Sequence, residues 1–190
     1  MLGTTLTHVL ISMAVSTVIG VMLGVAMGLS SFVRWLMQPL RALLRAMPMI
    51  VLIVMVMTKY ERVPVIASTM ILVPMIAEAA CEGCRRIDRE LIDVYRMNSG
   101  LNLTVLRHVH LPLMGGCLRQ AWVNAAGMAV KLAVSTEYLV QTKNSLGKAV
   151  HQSAYFFEYE EIYAYALIMI QLVLLVSELP LALMRLQRKR

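Results

Sequence analysis

Charge is scarce in this chain, and acid is scarcer than base. Only 15% of its 190 residues are Asp, Glu, Lys or Arg, with 18 basic side chains against 11 acidic ones. Soluble domains carry about 25%, so a solvated globular surface is not what this composition serves. Cysteine occurs three times, which excludes a disulfide framework. A phosphate-binding loop is missing: its nearest approach, Leu146-Gly147-Lys148-Ala149, lacks the first Gly and the hydroxyl that would hold magnesium. The chain is therefore expected to be no enzyme and to hold no cofactor of its own. No nucleophile–base constellation stands out, so no catalytic residues are assigned. Cys81-Glu82-Gly83-Cys84 has a spacing that suits zinc or redox chemistry, but His108 and His110 are separated by a single residue, unlike the usual zinc spacing; no metal site is expected. No basic n-region precedes the first apolar run at Met1–Thr7, so a cleaved signal peptide is not expected.

What the chain has in abundance is apolar length. Hydrophobic residues make up 59% of it, and the mean hydropathy is +0.70. Several runs approach the ~20 apolar residues that cross a bilayer. The expected fold is all-α: a polytopic membrane protein, one domain over 1–190, with five transmembrane helices at about 6–29, 40–58, 63–80, 113–140 and 162–183. The net charge of +7 is then read by location, as a mark of cytoplasmic loops, and not as a nucleic-acid footprint. In the first span Ser12, Ser16, Gly20, Gly24 and Gly28 recur every four residues, a small-xxx-small ladder that lets another helix approach closely. His8, near its start, is expected at the interface. Between the first two spans lies an amphipathic stretch with Arg34, Trp35, Arg41 and Arg45; Trp belongs at headgroup level and arginines snorkel. Pro74 is expected to kink the third span. The fourth carries Arg119, Asn124, Lys131, Ser135 and Glu137. Ionisable groups at that depth are functional candidates by default, so Lys131, Ser135 and Glu137 are candidates for lining a path, with pairing to a neighbour as the plain alternative. If Lys131 lines it, the solute is anionic or zwitterionic. Tyr155, Phe156, Phe157 and Tyr159 read as an interfacial aromatic patch.

The longest polar interval is 87–112, IDRELIDVYRMNSGLNLTVLRHVHLP. Ile87, Leu91, Val94 and Tyr95 fall at helical spacing, Ser99-Gly100 offers a helix stop, and Asn102 can cap a second short turn. Pro112 suits the first turn of the next helix. A disordered linker would lack that apolar face, so the loop is expected to fold and dock.

This interval resembles the cytoplasmic loop of permease subunits of ABC importers, which carries a Glu-Ala-Ala motif, a Gly six residues after the Glu, and an Ile-x-Leu-Pro-like end. Asp93, after Leu91-Ile92, takes the Glu position, Val94-Tyr95 replace the alanines, Ser99 falls where the Gly is expected with Gly100 just after, and Val109-His110-Leu111-Pro112 closes the motif. The literal Glu78-Ala79-Ala80 is a coincidence, since the Leu-Pro would then have to end at Met97. Leu43 to Pro48 resembles the family's Leu-Arg-Ala-Ile-Pro, and Ser145-Leu146-Gly147 its Gly-Leu-Gly. The Lys131…Glu137 pair resembles one seen in nitrate/sulfonate/taurine-type members.

The resemblance implies a dimer of permease chains, homodimer first, around a solute path. It implies a separate ATP-binding subunit, carrying ATP and Mg and coupled through 87–112, and an extracytoplasmic solute-binding protein. Coupling residues would be Leu91, Asp93, Val94, Tyr95, Ser99, Gly100, Val109, Leu111 and Pro112. Charge sets orientation independently. Five spans put Arg34, Arg41, Arg45, Arg85, Arg86, Arg89, Arg96, Arg107 and the Arg185–Arg190 tail on one side, against Lys59, Arg62, Lys143 and Lys148 on the other. The positive-inside rule makes the first side cytoplasmic and the N-terminus external, in a bacterial inner membrane. The alternative is a non-transporting membrane scaffold whose loop recruits a soluble partner. A secondary transporter is disfavoured, because the five spans show no internal repeat.

Overall fold

The apolar runs become long helices because a backbone in hydrocarbon must satisfy its own hydrogen bonds. A computed structural model of the chain describes residues 1–56, 62–85 and 115–187, and among these it contains no strand. The helices are α1 (Leu2–Leu29), α2 (Ser31–Ala46), α3 (Met49–Val56), α4 (Val63–Arg85), α5 (Gly115–Val140), α6 (Leu146–Tyr155) and α7 (Tyr159–Gln187). The interval 87–112, with Leu91, Asp93, Val94, Tyr95, Ser99, Gly100, Val109, Leu111 and Pro112, lies outside the described residues.

Three of the described helices are long and apolar enough to cross a membrane: Leu2–Leu29, Val63–Arg85 and Tyr159–Glu178. A fourth crossing is possible if α2 and α3 count as one broken span. α5 has the length, at 26 residues, but its polar side chains dilute its hydropathy.

Where the sequence suggests one span over 40–58, the chain forms two helices bent by 97°. The cause is local. Met47 precedes Pro48, and proline disfavours the helical region for the residue before it; Met47 is extended, at φ −67° and ψ 127°. Pro48 lacks only a donor that the first turn would not use, and its carbonyl accepts from Val51 and Leu52 at 3.0 and 3.3 Å. The α1–α2 junction is made by one residue. Ser30 is extended, gives its backbone N–H to Ala26 O, and accepts from Val33 N on its hydroxyl.

The core lies between α1, α4 and α5. Val9 and Met13 of α1, Leu72 and Ile76 of α4, and Ala125, Ala129 and Ala133 of α5 are buried together. Alanine at four-residue steps keeps that face of α5 narrow, so the three helices pack close. The ladder of α1 faces α4 directly. A methyl at Gly20 would sit 2.9 Å from Ile76 Cβ, one at Gly24 would collide with Ala77 O and Ala80 Cβ, and one at Gly28 would lie 2.5 Å from Cys84 Cβ. This seam also accounts for the buried Cys81 and Cys84, which pack as small apolar side chains.

Over Tyr159–Glu178, α7 is little buried and exposes Tyr163, Leu167, Ile170 and Leu174, a stripe suited to acyl chains. Its first turn holds Glu160 and Glu161, favourable beside the positive end of the helix dipole. Around its start, Tyr155, Phe156, Phe157 and Tyr159 all stand exposed at the α6–α7 turn, where Phe157 takes a positive φ of 61°.

Candidate functional site

α5 has two sides with opposite chemistry. On one, Gln120, Asn124, Met128, Lys131, Ser135 and Leu139 are exposed at three- and four-residue steps, with Arg119 beside them. That spacing is one face of a helix. Gln120 Nε2 donates to Asn124 Oδ1 at 3.3 Å, a pairing along the helix that leaves both side chains exposed. The stripe thus shows two cations, two amides and a hydroxyl outward from a helix whose buried side is rich in alanine. Lipid is a poor neighbour for such a surface, since polar and ionised groups in hydrocarbon face protein or water. Next to Met128 a cavity of about 290 Å³ opens between the α2–α3 break, α4 and α5, with Met47, Met49 and Met75 in its wall. Thioethers are polarisable and adapt to irregular occupants.

Glu137 belongs to the other side. Six residues of helix turn through roughly 240°, and while Lys131 is exposed, Glu137 is 0% exposed. Its carboxylate is held from two other helices. Oε2 accepts from the Thr5 hydroxyl at 2.7 Å and from the Gly147 backbone N–H at 3.2 Å. Oε1 lies 2.7 Å from His8 Nδ1, a side chain 15% exposed. Thr5 Oγ1 in turn accepts from Leu146 N at 3.0 Å. The first two backbone N–H groups of α6 therefore end, directly or through Thr5, on one carboxylate, and a helix N-terminus favours negative charge there. Ser145 completes the cap, its hydroxyl accepting from Lys148 N at 3.2 Å and donating to Thr142 O at 2.8 Å.

The turn that brings α6 back to α5 uses positive φ at Gln141 and Asn144, 54° each. Gly147 is required by contact. A methyl there would lie 2.5 Å from Glu137 Cβ, Tyr138 N and Val134 O. Gly147→Ala should therefore destabilise the chain by about 1–3 kcal/mol, the usual cost of overpacking. Thermal unfolding in detergent measures it, and an unchanged midpoint would contradict the close approach.

The structure thus separates residues that the sequence groups. Lys131 and Ser135 share the exposed stripe; Glu137 joins Thr5, His8 and Gly147 in a buried junction of α1, α5 and α6. His8, expected at the interface, is a partner of Glu137. Thr5 carries no local sequence signal: its partner lies 132 residues away. Gly20, Gly24 and Gly28 meet α4 of the same chain. Among the described residues no group of three His, Cys, Asp or Glu could hold a metal ion.

Compared with known families, the sequence matches the model of the one described as binding-protein-dependent transport system inner membrane component, over residues 16–190. No curated protein matches it.

Proposed function

This chain belongs to the family of binding-protein-dependent transport system inner membrane components, and on that premise we propose that the polar stripe of α5 lines a solute path enclosed by two permease chains. Membership makes the chain a permease subunit of an ABC importer, a multi-pass inner-membrane component of transport and not an enzyme. Importers of this kind work with an ATP-binding subunit and a binding protein. The observation that carries the proposal is the stripe itself: Asn124, Lys131 and Ser135 are exposed on a helix whose opposite face is core. A second copy presenting the same face would cover both stripes and leave a polar seam between them. With Arg119 and Lys131 as its charges, that seam favours an anionic or zwitterionic solute, which suits the nitrate/sulfonate/taurine-type members that the Lys131…Glu137 pair resembles. The N-terminus would be external and the 87–112 loop cytoplasmic, where a separate ATPase could dock on Leu91, Asp93, Val94 and Tyr95 and move the two cores between outward and inward access.

Two sets of variants test the reading in the intact transporter, with its ATPase and binding protein reconstituted. Lys131→Met is expected to lower transport about tenfold or more, as loss of one charge contact worth ~1.5–3 kcal/mol would do, while recovery of the ATPase stays unchanged. Val94→Arg or Leu91→Asp should uncouple ATP hydrolysis from transport. Wild-type transport by Lys131→Met would remove α5 from the path, and wild-type coupling in both loop variants would remove the loop from the coupling. Recovery of the chain from its native membrane with no ATPase would support the scaffold reading instead.

A further inference from the structure

α2 has the make-up of an interfacial helix, and it roofs a cavity. Phe32, Trp35, Leu36 and Leu40 are exposed, Arg34 and Arg41 are the cations with described side chains, and the helix has no acidic residue. Basic residues on one face with Trp, Phe and Leu on the other describe a helix lying in a membrane surface. Behind it, between α1, α2 and α4, is a second cavity of about 290 Å³ whose wall is almost wholly carbon, from Leu23 of α1 through Met37 of α2 to Val73 and Pro74 of α4. Arg41 also lines it. One guanidinium N–H of Arg41 reaches Glu78 Oε1 at 3.4 Å, a distance that leaves the pair loose. Its Nε is buried with no acceptor among the described residues. Arg34 lies on the same helix, its Nε on Met27 O at 3.2 Å; Met27 too borders the cavity.

We propose that this cavity and α2 form a binding site for an anionic phospholipid, with an acyl chain in the cavity and the phosphate against Arg41 and Arg34. The argument is complementarity. An apolar cavity open to a bilayer takes an apolar chain, a buried guanidinium N–H lacking an acceptor takes a phosphodiester oxygen, and the planar fork of arginine matches phosphate. α2 carries Arg34 and Arg41 and no acidic residue, so a choline or ethanolamine headgroup would add a further cation beside them where a glycerol headgroup adds none. Basic pockets between helices recognise anionic lipid headgroups on this principle. The site does not depend on the transport reading.

The test is native mass spectrometry on the intact, delipidated protein, with phosphatidylglycerol or phosphatidylcholine added back. Wild type should retain phosphatidylglycerol in preference. Arg41→Gln should lower that preference about fivefold, the equivalent of ~1 kcal/mol for one arginine at a membrane surface. Val73→Phe, which fills the cavity and leaves both arginines in place, should reduce retention of either lipid. Equal retention of the two lipids by wild type overturns the proposal, as does an unchanged preference in a folded Arg41→Gln. Disulfide crosslinking between two copies through Leu40→Cys would also overturn it, by showing that a second chain covers the groove.

Discussion

Glu137→Ala should destabilise the chain by several kcal/mol, because it leaves two buried donors without their acceptor at about 1–3 kcal/mol each. The carboxylate is 0% exposed, accepts from Thr5 Oγ1 and Gly147 N, and lies 2.7 Å from His8 Nδ1. Alanine removes every acceptor at once. His8 reaches solvent and can find water, so its loss is modest. The Thr5 hydroxyl and the Gly147 N–H are buried, and a buried donor left unsatisfied costs about 1–3 kcal/mol each. Glu137→Gln should cost less, because the amide oxygen can replace Oε2 for Thr5 and Gly147. Thr5→Val should fall between, since it removes a donor to Glu137 and orphans Leu146 N. Thermal unfolding of the purified protein gives the order Ala, then Val, then Gln by loss. If Glu137→Ala melts with the wild type, the junction contributes nothing to stability, and Glu137 must be explained by another role.

Gly24→Leu should leave little folded protein. A methyl at position 24 already collides with the backbone carbonyl of Ala77 and with Ala80 Cβ, and neither can rotate away as a long side chain would. Two effects oppose each other in the smaller variant, Gly24→Ala. Helix propensity favours alanine by about 1 kcal/mol, while overpacking costs about 1–3 kcal/mol; the net should be a modest loss. Leucine adds bulk without adding propensity, so separation of α1 from α4 decides the outcome. Gly3→Ala is the control. It lies in the same helix with nothing within 4 Å of the added carbon, so propensity acts alone and stability should hold or rise slightly. The yield of monodisperse protein after detergent extraction and heating separates the three variants. Normal yield of Gly24→Leu would mean that α1 and α4 do not pack as described.

The two cases differ in how far the sequence reveals them. The recurrence of Gly20, Gly24 and Gly28 announces a close approach, because only small residues at four-residue steps leave a flat helix face. Which helix comes close is not in the pattern, since any span could fill the groove; α4 does so with Ile76, Ala77, Ala80 and Cys84. Glu137 is legible only as an ionisable residue in an apolar setting. Periodicity shows that it and Lys131 leave α5 on different sides, but not that Thr5 and His8 come back across the fold to meet it.

Composition and periodicity by themselves determined that this chain is an all-helical membrane protein, because apolar length and helical spacing act locally and need no partner. The residues of the family's loop could be read the same way, as spacing along the chain. The tertiary structure alone decided that the glycine ladder seats α4 and that Glu137 is enclosed under the first turn of α6 while Lys131 stays exposed. Those outcomes turn on contacts between residues tens to more than a hundred positions apart. The free energy of a buried carboxylate or a touching backbone is set by what folding brings beside it, and no local stretch of sequence carries that information.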